Sequence, residues 1–148
     1  MKKLLSASLL LLCSGSVMAE EYMCTPEASG GLGYDKTERL WNVSSFDIGR
    51  NYIVKLNDKE HPSYDATVTY LNETLPSYLC KEETTINVLV CNSFLGQLNF
   101  IKEELRYIES YMFGYVQGKD NKYNAPKVTV GTCSPYQAKA RKVAVNSW

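Results

Sequence analysis

Downstream of residue 20 the chain alternates its side chains with a period of two, and turn residues break the alternation at short intervals. Tyr52, Val54 and Leu56 alternate with Ile53 and Lys55, and Ala66, Val68 and Tyr70 alternate with Thr67, Thr69 and Leu71. β-Branched and aromatic residues on that period predict strands, whose successive side chains point to opposite faces. The same reading predicts strands at 21–25, 38–43, 77–82, 86–92, 96–101 and 127–133. Between them lie Gly30-Gly31, Asn57-Asp58, Glu73 to Pro76 and Gly118 to Asn124. Many short strands without intervening helices predict an all-β domain, a small antiparallel barrel or sandwich of about eight strands.

One segment carries two periods. Leu98, Ile101, Leu105, Ile108 and Met112 recur at helical spacing, which would place a helix near 101–113 and make the class α+β. Leu105, Tyr107, Tyr111, Phe113 and Tyr115 also alternate with Arg106, Ser110 and Gly114. The aromatic content favours the second pattern and predicts a strand from 105 to 116.

The first residues have a different character. Lys2 and Lys3 precede an apolar run from Leu4 to Leu12, and Val17-Met18-Ala19 stands before Glu20. A positive start, a short apolar core and an Ala-ending site predict a signal peptide over 1–19, cleaved near Ala19, with export to the periplasm or beyond. The run is too short for a membrane anchor, which needs about 20 apolar residues. Leu-Leu-Leu-Cys ending at Cys13 approaches a lipidation motif but has Leu12 where a small residue belongs. The organisation expected is a signal peptide over 1–19, one domain over 20–134 and a basic C-terminal tail over 135–148.

Export changes the meaning of the cysteines. Cys24, Cys80, Cys91 and Cys133 follow the signal and meet oxidising conditions, where four cysteines allow three pairings. Tyr78 to Lys81 and Ile86 to Cys91 form a predicted hairpin around Glu82-Glu83-Thr84-Thr85, which brings Cys80 to Cys91 and leaves Cys24 for Cys133. Zinc ligation is disfavoured by the 11-residue spacing of Cys80 and Cys91 and by the single histidine.

Removal of the signal takes two of the 16 basic residues and leaves 14 against 16 acidic ones, a net charge of −2. A partner with a phosphate backbone would call for a basic excess, so nucleic acid is not expected. The one basic concentration is Lys139, Arg141 and Lys142, read as a solvated tail.

Tyrosine is the compositional signal. The chain has 11 of them, each with an apolar body and a polar tip suited to a half-buried sheet or a recognition surface. Tyr52, Tyr70, Tyr78, Tyr107 and Tyr115 are assigned to the core. Tyr34, Trp41, Tyr64, Tyr111 and Tyr123, several of them in predicted loops, are the candidate binding residues.

Catalytic chemistry finds little support. His61, the sole histidine, lies in the hydrophilic stretch Asn57 to Pro62, and no Gly-x-Ser-x-Gly motif occurs. Glu82-Glu83 and Glu103-Glu104 pair carboxylates whose neighbours point to opposite faces of a strand. Gly30-Gly31-Leu32-Gly33 lacks the Lys-Ser or Lys-Thr of a phosphate loop and is read as a flexible loop. No catalytic residue, metal or cofactor is assigned.

Cys24-Thr-Pro-Glu, Trp41 and Phe46, Tyr52-Ile-Val-Lys55, the Cys80 and Cys91 pair, Leu105-Arg-Tyr107, Gly114-Tyr115 and Gly131-Thr-Cys133-Ser134 resemble a group of short secreted bacterial proteins with four mature cysteines. That resemblance implies a periplasmic single domain and carries no catalytic residue with it. Size, signal and disulfides give a looser likeness to periplasmic lysozyme inhibitors, whose inhibitory loop is echoed only by Ser29-Gly30 and Tyr34. The function expected is a non-enzymatic periplasmic module recognising a protein partner, such as an inhibitor or immunity protein for a cell-wall-acting enzyme. The alternative is a small-molecule carrier or small enzyme using a barrel cavity.

Overall fold

A computed structural model describes residues 21–137. The expected signal peptide over 1–19, Cys13, the cluster Lys139, Arg141 and Lys142, and Trp148 lie outside the described residues. The strands are β1 (Glu21–Asp35), β2 (Leu40–Ser45), β3 (Tyr52–Leu56), β4 (Ala66–Tyr70), β5 (Tyr78–Glu83), β6 (Val88–Asn92), β7 (Gly96–Ile101), β8 (Arg106–Tyr111) and β9 (Lys127–Pro135), with one short helix, α1 (Phe113–Val116), before β9.

Each strand from β3 to β8 pairs antiparallel with the next, β3 pairs with the start of β1, and β9 returns to β1. The result is a closed up-and-down barrel of eight strands, with β2 paired to the distal half of β1 as an extension beyond the wall. Closure removes the unpaired edges that an open sheet of short strands would expose.

The period-two pattern dictates which side chains fill the barrel. Val54, Val68, Cys80, Leu89, Cys91, Leu98 and Phe100 face inward and are essentially buried, while their strand neighbours Lys55, Lys81 and Arg106 face solvent. The outer wall mixes the charged Lys55, Lys81 and Arg106 with the partly exposed aliphatic Ile108, Val128 and Val130. Eight strands leave a bore that side chains can just fill. Truncating Leu98 or Phe100 would therefore leave a void costing about 2–5 kcal/mol.

Both expected disulfides are present and join residues directly opposite in register, Cys24 to Cys133 across β1 and β9, and Cys80 to Cys91 across β5 and β6. In the strand order these two pairs are half a barrel apart, so one closes the terminal seam and the other braces the far wall. Two buried bridges are bonds that persist in an oxidising extracellular or periplasmic setting. Just past the seam bridge, the Tyr136 N–H donates to the Glu21 carbonyl at 2.8 Å.

Four expectations need correction. The strand expected over 105–116 ends at Tyr111 and gives way to α1. Its helical alternative over 101–113 is not formed: Leu98 is buried in the lumen whereas Ile108 and Met112 are exposed, so the stripe is split between faces. The glycine run read as a flexible loop is strand, held between β2 and β9. A bulge between Pro26 and Ala28 inserts Glu27 and reverses the inward parity of β1, which turns Ser29 toward Thr129 at 3.0 Å. Gly31 then passes so close to the Pro126 carbonyl that a Cβ could not fit. Tyr115 is not core either, being 48% exposed.

Candidate binding face at the barrel mouth

The meander gives the barrel two unlike ends. At one end β5–β6 and β7–β8 are joined by four-residue turns, 84–87 and 102–105, in which Asn87 and Leu105 adopt positive φ. Glu82 meets Lys102 at 2.6 Å, and Glu103 accepts a hydrogen bond from Asn87 at 2.6 Å, so one member of each acidic pair tightens these turns. At the other end lie the β1–β2 extension, the connection 46–51, the β4–β5 loop 71–77, the β6–β7 turn 93–95 and the long segment 112–126 that carries α1.

That second end is the mouth, and its floor is built from tyrosines around one carboxylate. Glu109 on β8 is 9% exposed, faces inward between Leu98 and Thr129, and accepts a short hydrogen bond from the Tyr78 hydroxyl. Tyr52 stacks on Tyr70 at 4.8 Å and meets Tyr78 and Tyr107 edge-on at 6.3 and 5.8 Å. Burial, aided by the neighbouring Glu109 charge, holds the Tyr52, Tyr78 and Tyr107 hydroxyls well above the usual phenol range. They are therefore neutral at any physiological pH, and the Tyr78 hydroxyl is the one that donates to Glu109. Arg50 caps the floor from outside, 4.0 Å above the Tyr70 ring and paired with Glu73 at 2.6 Å.

Above the floor opens a cleft of about 540 Å³ bordered by Phe46, Tyr70, Tyr78, Phe94, Glu109, Tyr111, Lys122, Tyr123 and Lys127. Its walls come from five separate stretches of chain. Phe94 of the β6–β7 turn packs on Phe113 of α1 at 4.7 Å, and the Tyr111 hydroxyl donates to Asn124 at 3.3 Å. On the rim Phe94 is 81% and Tyr123 79% exposed, with Lys122 lying 5.0 Å over the Tyr123 ring. A second aromatic group stands beside the cleft. Tyr34 and Trp41 are register partners on β1 and β2, 5.2 Å apart, Trp41 meets Tyr115 edge-on at 5.3 Å, and its indole N–H donates to Asp120 at 3.2 Å.

Four of the five residues singled out from the sequence thus gather at the mouth: Tyr111 and Tyr123 at the cleft, Tyr34 and Trp41 on the extension. Tyr64 does not; it sits in the β3–β4 connection at the opposite end, 5.8 Å from the Lys81 ammonium. Glu109, Phe94, Tyr70 and Tyr78 complete the site without having been chosen. Glu109 had a signal in the sequence, because Tyr107, Glu109 and Tyr111 share one face of a strand, and an acid in phase with two tyrosines marks a polar group carried inward.

His61 belongs to the opposite end. Its Nδ1 lies 3.1 Å from the Asp58 carboxylate, which is 5% exposed and also holds Lys55 at 2.8 Å, the Thr67 hydroxyl at 3.0 Å and the Glu60 N–H at 3.3 Å. The Lys55 ammonium and these donors hold the Asp58 carboxyl far below the usual carboxylate range. The arrangement pins the β3–β4 connection to the outer wall. Among the described residues no group of three or more His, Cys, Asp and Glu side chains is placed to hold a metal, and no helix is long and apolar enough to cross a membrane.

No protein-family model, curated protein or solved structure matches the chain.

Proposed function

We propose that this protein is a non-enzymatic binding module, exported by a signal peptide cleaved near Ala19, that holds a protein partner against the aromatic mouth of its barrel. One observation carries the reading. Two large aromatic rings, Phe94 and Tyr123, stand about four-fifths exposed on the rim of a cleft whose floor is buried and polar. Exposing such rings costs solvation free energy, and rigid aromatic anchors around a desolvated polar centre are where binding energy concentrates at interfaces. The lumen beneath is filled, so room for a binding group exists at the mouth rather than inside. The disulfides hold the five connections of that end on one rigid frame, which lowers the ordering cost of association.

An inhibitor or immunity protein for a wall-degrading enzyme is the version of this role that the compartment favours. The immobilised protein should retain a specific protein from periplasmic extract, and purified muramidases and amidases should be tested for inhibition. Repeated absence of any protein ligand, together with thermal stabilisation by a sugar or lipid, would move the assignment to a small-molecule carrier.

A further inference from the structure

Every strand of the sheet has at least two neighbours except β2, which pairs with β1 alone. The register between β1 and β2 continues to Ser29 and Phe46, where the Phe46 N–H donates to the Ser29 carbonyl at 3.1 Å. In an antiparallel ladder hydrogen-bonded and non-hydrogen-bonded pairs alternate, so the pairs Gly31 with Ser44 and Gly33 with Asn42 bond to each other. The backbone groups of Trp41, Val43 and Ser45 then point away from β1. The other side of the extension confirms the phase, since Leu32, opposite Val43, turns its N–H outward to the Pro126 carbonyl at 3.0 Å. Among the described residues no backbone hydrogen bond reaches the outward groups of Trp41, Val43 and Ser45, and β2 has no second neighbour in the sheet.

Open strand edges are ordinarily blunted by lysine, proline, a bulge or brevity. β2, with the sequence Leu-Trp-Asn-Val-Ser-Ser, carries neither charge nor proline, and its pairing with β1 runs unbroken over six residues. Trp41 and Val43 project on one face beside the outward backbone, and Val43 is 90% exposed.

We infer that β2 is a strand-addition site: an extended segment of the partner protein pairs with Trp41, Val43 and Ser45 and lays alternate apolar side chains on Val43 and Trp41. Main-chain hydrogen bonds would supply affinity, and the two apolar side chains would set the preference for the segment. The edge ends where the Trp41, Tyr34 and Tyr115 group begins, so an added strand leads toward the mouth. This inference rests on the protein-partner reading and specifies the form of the partner's contact.

Val43→Pro isolates the edge. It removes an outward N–H and leaves the ladder to β1 intact, whereas Asn42→Pro deletes an inward bond and serves as the destabilised control. A displayed library of random decapeptides should be selected on the full chain and the best binder titrated. The expected result is an enriched proline-free segment with alternating apolar residues. It should lose at least tenfold in affinity on Val43→Pro with unchanged melting temperature, and it should slow hydrogen exchange at the amides of Trp41, Val43 and Ser45. Equal binding to the variant, protection elsewhere, or no enrichment would overturn strand addition while leaving a partner at the mouth untouched. Protection that appears without peptide and grows with protein concentration would also overturn it, because a second copy would then occupy the edge.

Discussion

Cys24 and Cys133 stand directly opposite one another on the first and last strands of the barrel, so a single disulfide crosses the seam at which the sheet closes on itself. It spans 109 residues, whereas Cys80–Cys91 spans 11. Loop-closure entropy predicts stabilisations of about 5 and about 3 kcal/mol for loops of these lengths. Replacing Cys24 and Cys133 together by serine should therefore lower stability more than replacing Cys80 and Cys91, by about 2 kcal/mol in guanidinium denaturation. Equal losses would mean that the seam is held mainly by its ladder.

The tyrosines at the mouth floor tie stability to alkaline pH. Their hydroxyls titrate higher in the folded protein than in the unfolded chain, where they ionise near pH 10. Above that pH the native state holds more protons than the unfolded state, so stability is complete below about pH 10 and declines as pH rises beyond it. Ultraviolet titration should show Tyr52, Tyr78 and Tyr107 silent until a cooperative unfolding step exposes them.

Asp58 gives the opposite dependence. Its folded-state carboxyl, paired first with Lys55, titrates below the unfolded value near 3.9, so its contribution is present above about pH 4 and is lost as pH falls further. Asp58→Asn should cost about 2 kcal/mol at neutral pH, the scale of a hydrogen-bonded charge. The gap from wild type should narrow in acid. His61→Ala, which removes only one of the Asp58 partners, should cost less.

Gly131 tests the packing inside the seam. A Cβ there would press on the Thr25 carbonyl and lie 2.6 Å from the Tyr107 ring and 2.9 Å from Pro26 Cα. The Thr25–Pro26 backbone of β1 cannot move aside without opening the β1–β9 pairing, and the Tyr107 ring blocks the other approach. Gly131→Ala should destabilise by about 1–3 kcal/mol, read as a lower denaturation midpoint at unchanged slope.

The strands were legible because the lumen imposes period two wherever a residue is paired on both sides, and Tyr52 to Leu56 and Val88 to Cys91 obey it. Legibility failed where backbone proximity, rather than side-chain burial, decides the structure. Gly30, Gly31 and Gly33 have no side chains to alternate around Leu32, and their strand is fixed by β2 and by the close pass of Gly31 to Pro126. The Glu27 bulge shifts parity within β1 and hides the continuity from Glu21 to Asp35. The candidate face was half visible. Exposed aromatics suggested Trp41, Tyr111 and Tyr123, but Phe94 and Glu109 join them only through barrel closure, and Tyr64 falls at the wrong end because alternate connections exit opposite ends of a meander.

The most direct measurement is the affinity of a protein captured from the periplasm for wild type and for the Phe94→Ser, Tyr123→Ser double variant. Rim anchors of this kind carry about 2 kcal/mol or more, so at least a 30-fold loss of affinity with an unchanged melting temperature is expected. Undiminished binding by the double variant would contradict the assignment of the aromatic mouth as the recognition face.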